Sequence, residues 1–149
     1  MYHYTESGLN NVYLRGGYNT IEIDGEEAVS IHDLAGLHKV IGQRIIRKSP
    51  SLTGEEIRFL RKEMNLTQAS FAGVISVSED TIRGWENGRT HVTGPADKLI
   101  RGVYVEHLDG NGGLRQIIED IARLNNEIAE DERDMSFEEN AEGMWQEVA

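Results

Sequence analysis

"VSEDTIRGWENGRT", residues 77–90, reads as one short helix with a marked beginning and a marked end. Ser78 is placed to cap it, and Val77 to pack on Ile82 as a hydrophobic staple. Ile82 and Trp85 form an apolar back, which makes Trp85 a core residue rather than a stacking platform. Glu79, Asp80, Thr81, Arg83 and Gly84 are left for a polar front. Asn87-Gly88 stops the helix with a left-handed residue.

Two more helix starts upstream use the same chemistry. In Leu52-Thr53-Gly54-Glu55-Glu56-Ile57, Thr53 caps and Glu56 reaches back, a capping box with Leu52 as the staple. Thr67 caps the next helix, with Leu66 facing Phe71. The predicted buried stripes are Ile57, Leu60 and Met64, then Phe71, Val74 and Ile75. Only "SVS" separates the second helix from the third. Two helices of about eight residues joined so tightly are expected to cross as a helix-turn-helix. Ser76 occupies a turn position where glycine is usual, which predicts some strain. A fourth helix is predicted from about Pro95, with Ala96, Leu99, Ile100 and Val103 on its apolar stripe.

Working outward, residues 1–48 read as a small α+β domain. "NVYLRGG" and "YNTIEIDGEE" are predicted strands joined by a turn at Gly16 and Gly17, with "EAVSI" as a third short strand. A helix is predicted over Ile31–Arg47, its stripe being Leu34, Leu37, His38, Ile41 and Ile45. Tyr2, Tyr4, Val12, Leu14, Ile21 and Ile23 are the expected apolar packing of this domain. Residues 49–108 form the helical centre. The last segment, 109–149, opens on the break "DGNGG". Leu114, Ile117, Ile121, Leu124 and Ile128 follow at heptad spacing, which predicts a packing helix. The acidic end "DERDMSFEENAEGMWQEVA" is predicted to be disordered.

The 149 residues carry no cysteine, so disulfides and thiolate metal sites are excluded. No apolar run approaches a membrane span, and the N-terminus lacks the pattern of a secretory signal. A cytoplasmic location is the expectation. Net charge is −11, unevenly spread. Residues 44–101 hold ten Lys/Arg against seven Asp/Glu, whereas 102–149 hold three against thirteen and 1–43 two against six. A mildly basic centre therefore lies between acidic ends, and acidity of the whole does not exclude nucleic acid.

The stretch "LTGEEIRFLRKEMNLTQASFAGVISVSEDTIRGWENGRT", with "GPADKLIR" after it, resembles the lambda-repressor-type (XRE) helix-turn-helix. With "YTESGLNNVYL", "GYNTIEI" and "SIHDLAGLHKVI", the arrangement is similar to the MqsA (YgiT) group of antitoxin-like regulators. The fold class implied is mainly α: a lambda-repressor-like domain, a small α+β N-terminal domain, and a C-terminal helix with an acidic tail. The resemblance implies a homodimer on a palindromic operator, often repressing its own operon, and in many cases an antitoxin of an RNA-cleaving toxin. It implies base contacts from Glu79, Asp80, Thr81 and Arg83, and backbone contacts from Thr67, Gln68, Ser78 and Arg89. Gly84 departs from the pattern, because a base reader, often Arg or Gln, usually stands there. The group's metal-bearing members hold zinc through four cysteines. This chain has none, and His32 and His38, six residues apart, fall on different helix faces, so no cofactor is expected.

Glu79 and Asp80 look misplaced beside phosphates. Carboxylates in a first helical turn are favoured by the macrodipole, and a carboxylate accepts from cytosine N4. Arg44, Arg47, Lys48, Arg58, Arg61, Lys62, Arg83 and Arg89 are the expected phosphate ring. No nucleophile motif, metal cluster or phosphate-cradling loop suggests an enzyme. The reading favoured is an autoregulatory, DNA-binding antitoxin. The alternatives are a stand-alone or phage-type regulator, and a protein–protein module that has lost DNA binding.

Overall fold

The computed structural model describes residues 1–110, 113, 116 and 135–148. Its elements run β1 (Tyr2–His3), β2 (Tyr13–Leu14), β3 (Tyr18–Ile23), β4 (Glu26–Ile31), α1 (Leu34–Arg47), α2 (Gly54–Glu63), α3 (Gln68–Ile75), α4 (Glu79–Glu86), α5 (Gly94–Leu108), β5 (Ser136–Glu139) and β6 (Trp145–Val148). The described strands form three separate antiparallel pairs: β1 with β2, β3 with β4, and β5 with β6.

The N-terminal strands pair differently from expectation. β2 joins β1, with Tyr2 opposite Leu14, and does not pair across Gly16-Gly17. The hairpin is β3–β4, closed by Asp24-Gly25 with Ile23 opposite Glu26. Both turn residues have positive φ, 54° and 82°, as a two-residue primed turn requires, and Asp-Gly is its strongest local signal. "EAVSI" is thus the partner of β3. The hairpin pairs only within itself, so Ile21 and Ile23 are exposed rather than packed, whereas Tyr4 and Leu14 are buried.

α1 starts three residues later than predicted. Ile31 is held in the ladder opposite Tyr18, and Asp33, at φ 45°, accepts from the Gly36 amide as the cap. Ile41 and Ile45 are buried as expected, but Leu34 at the first turn is exposed.

The helical centre follows its predicted boundaries closely. Thr53 and Glu56 make a reciprocal capping box, and Thr67, Ser78 and Thr93 cap α3, α4 and α5. One buried cluster joins Tyr4, Leu9 and Leu14 with Ile41 and Ile45 of α1 and the interior of α2–α5. Leu60, Phe71, Ile82 and Ile100 are completely enclosed. Two glycines permit close approaches between helices. A Cβ on Gly42 of α1 would stand 1.9 Å from the Tyr104 hydroxyl of α5, and one on Gly54 would stand 2.1 Å from the Trp85 carbonyl.

A polar clamp fixes the α1–α2 connection. Buried Asp97 accepts from the Leu52 amide at 2.7 Å. Its partner Arg101 donates to the carbonyls of Ile46, Lys48 and Pro50.

The acidic end is not disordered over residues 136–148: it forms the β5–β6 hairpin. Asn140 Oδ1 accepts from the amides of Glu142 and Met144, and Gly143 takes φ 79°. Phe137 and Trp145 lie on one face with Glu139 and Glu147, by the register, and both aromatics are exposed. The heptad positions Leu114, Ile117, Ile121, Leu124 and Ile128 lie outside the described residues.

Candidate nucleic-acid interface

α3 and α4 are joined by Ser76, Val77 and Ser78. Ser76 adopts the left-handed conformation, φ 64° and ψ 44°. The Val77 amide donates to the Ala72 carbonyl at 3.0 Å. Val77 is half-buried, and Ser78 Oγ accepts from the Thr81 amide at 3.1 Å. This connection turns the chain while satisfying the orphan groups at both helix ends.

The front of α4 is internally neutralised. Arg83 bridges Glu79 and Asp80, both at 3.3 Å. Arg89 reaches back to the Asp80 carboxylate at 3.4 Å and to its carbonyl at 3.3 Å. Two acids and two arginines therefore carry no net charge together. All four are about half exposed or more, so these pairs are weak and exchangeable. The carboxylates also sit at the positive end of α4.

Beside them lies an open groove of about 680 Å³, bordered by Arg58 of α2, Thr67, Gln68 and Ala69 of α3, and Glu79 and Arg83 of α4. At its side the buried Glu86 carboxylate takes two hydrogen bonds from Arg61, at 2.7 and 2.9 Å. It takes a third from Gln68 Nε2 at 3.3 Å. This pair orients Gln68 at the start of α3.

The predicted phosphate ring therefore divides. Arg61 is a core residue: it is 8% exposed, and it also donates to the Leu66 carbonyl. Desolvation and full pairing remove it from the ring. Lys48 is bound to Glu56 of the capping box. Arg44, Arg47, Arg58 and Lys62 remain exposed. Of these Arg58 borders the groove with Gln68 and Arg83. In the sequence Arg58 and Arg61 are equivalent cations of α2, and only burial separates them.

Three of the five histidines, His3, His32 and His38, have local hydrogen-bond partners. His38 accepts or donates with the Tyr4 hydroxyl at 2.7 Å and meets Glu63 at 2.6 Å. His32 pairs with Asn19, and His3 with the Asn10 carbonyl. Among the described residues no group of three or more His, Asp or Glu is placed to hold a metal ion, and no helix is long and apolar enough to cross a membrane.

A short apolar-backed helix, crossed by a second and faced with exposed polar side chains, is the geometry that enters a major groove. Residues 57–95 match the helix-turn-helix family. The match runs from Ile57 of α2 through α3 and α4 to Pro95, about a quarter of the chain. It marks this segment as a helix-turn-helix of the DNA-binding XRE type. No curated protein and no solved structure matches the chain.

Proposed function

We propose that the chain is a sequence-specific transcriptional repressor that binds a palindromic operator as a homodimer. The observation that carries this reading is the exposed front of α4, backed by fully buried Ile82 and bordered by Gln68, Arg58 and Arg83. In this reading Thr67, Gln68 and Ser78 hold the strands, and Glu79, Asp80, Thr81 and Arg83 face the bases. On contact the two ion pairs of Arg83 open, and that arginine exchanges a carboxylate for a phosphate or a base. The biological setting that fits the N-terminal resemblance is an autoregulatory antitoxin acting in the cytoplasm, with a ribonuclease toxin as second partner.

The direct test is a gel shift on the DNA upstream of the chain's own reading frame at two salt concentrations. Specific retardation that weakens steeply with salt is expected, because several cations release counterions from phosphates. A flat response blind to sequence would support a second reading, a protein–protein module that has lost DNA affinity. The internal pairing of Arg83 and Arg89 is the observation in its favour. For the antitoxin setting, a basic reading frame abutting this one, whose product co-purifies with the chain, is the expected finding. A stand-alone regulator lacks it.

A further inference from the structure

Gly84 stands one turn after Asp80 on the face that α4 turns outward, yet it is buried. Two residues from beyond the helix cover it. Gly88, at φ 78°, turns the chain back. The amides of Arg89 and Thr90 then both donate to the Gly84 carbonyl, at 3.0 and 3.2 Å. The Arg89 side chain runs along α4 from there. A Cβ on Gly84 would lie 2.9 Å from Arg89 Nη2 and 3.0 Å from Thr90 Oγ1. The guanidinium occupies the space that a side chain at position 84 would use.

We infer that Arg89 is a base-reading residue of this interface, that guanine is its target, and that Asp80 positions it. The inference rests on the DNA-binding reading above and reassigns Arg89 from backbone holder to reader. Asp80 engages only Nη2, through its carbonyl and one carboxylate oxygen. Among the described residues no acceptor meets Nε or Nη1. The side chain is 55% exposed. Asp80 can take both contacts from one Nη2 hydrogen, and the end-on pair, Nη1 with the other Nη2 hydrogen, then suits the paired O6 and N7 acceptors of guanine. Anchoring at Asp80 also lowers the entropy lost when the fork docks.

Selection from a pool of randomised duplexes tests this, with the wild-type chain, Gly84→Ala, Arg89→Lys and Asp80→Asn. Affinities for the selected duplexes are measured at two salt concentrations. The wild type should enrich a motif with one guanine per half-site on which Arg89 acts. Arg89→Lys should lose that preference by roughly 5- to 150-fold against the wrong base. Gly84→Ala should displace the guanidinium and lose the same preference, with a melting temperature no lower than wild type, since alanine favours a helix interior. Asp80→Asn should weaken the preference at that guanine. Retention of the whole motif by Arg89→Lys and Gly84→Ala, with affinity falling evenly, would make Arg89 a phosphate contact and overturn the inference. That result leaves the DNA-binding reading standing. Failure of the wild type to enrich any motif would remove that reading and the inference with it.

Discussion

Asp80 and Glu79 each have an arginine within 3.4 Å, so the acids at the start of α4 do not present bare charge to DNA. Sequence position suggested the macrodipole as their explanation, and the structure adds the arginines. The Arg61–Glu86 pair, by contrast, was not legible. Arg61 counts as one cation among several in the sequence, and only the fold reveals that Glu86, 25 residues later, closes on it in the interior. Removing one partner leaves the other buried and alone. Glu86→Ala should therefore destabilise the chain by about 3 kcal/mol in denaturant unfolding. The double change Arg61→Met with Glu86→Leu should recover most of that loss. Tyr104 supplies a pH dependence. Burial, with the charge of Glu63 adding to it, pushes its hydroxyl up to about 12. The unfolded group ionises near 10, so unfolding releases a proton between these values. Its contribution to stability is complete below pH 10 and is lost as pH rises through 12. Tyr104→Phe should flatten the alkaline decline of stability followed by circular dichroism.

At the scale of elements, caps and stripes were readable because each signal is local. Thr53, Thr67 and Ser78 each accept from an amide three residues on, and that spacing is visible in any sequence. The N-terminal strands were misread for the opposite reason. Their register depends on which turn closes, and Asp24-Gly25 competed with Gly16-Gly17 for that role. A period-two reading through Asp24 hid the stronger signal. The α3–α4 connection offers an element-scale test. Ser76 holds φ 64° without being glycine, a conformation that costs about 1 kcal/mol for a residue with a Cβ. Ser76→Gly should raise the stability of the chain by up to about 1 kcal/mol, less the added freedom of the unfolded chain. A loss of stability would mean that the side chain, not the turn, matters at that site.

Across the whole molecule, charge is segregated by sequence: a mildly basic centre, residues 44–101, against acidic flanks. The helix-turn-helix match falls inside that centre. The acidic C-terminal strands β5 and β6 carry their aromatics outward, which composition alone could not foresee, because the turn at Asn140–Gly143 organises the acids around it. What joins these scales is the claim that α3 and α4 present one surface to a duplex. Titrating the isotope-labelled chain with duplex DNA from its own upstream region, and following backbone amide resonances, tests it directly. The largest shifts are expected on residues 67–70 and 78–90, with the β3–β4 hairpin unmoved. Shifts concentrated on that hairpin, or none on α3 and α4 at saturating DNA, would contradict it.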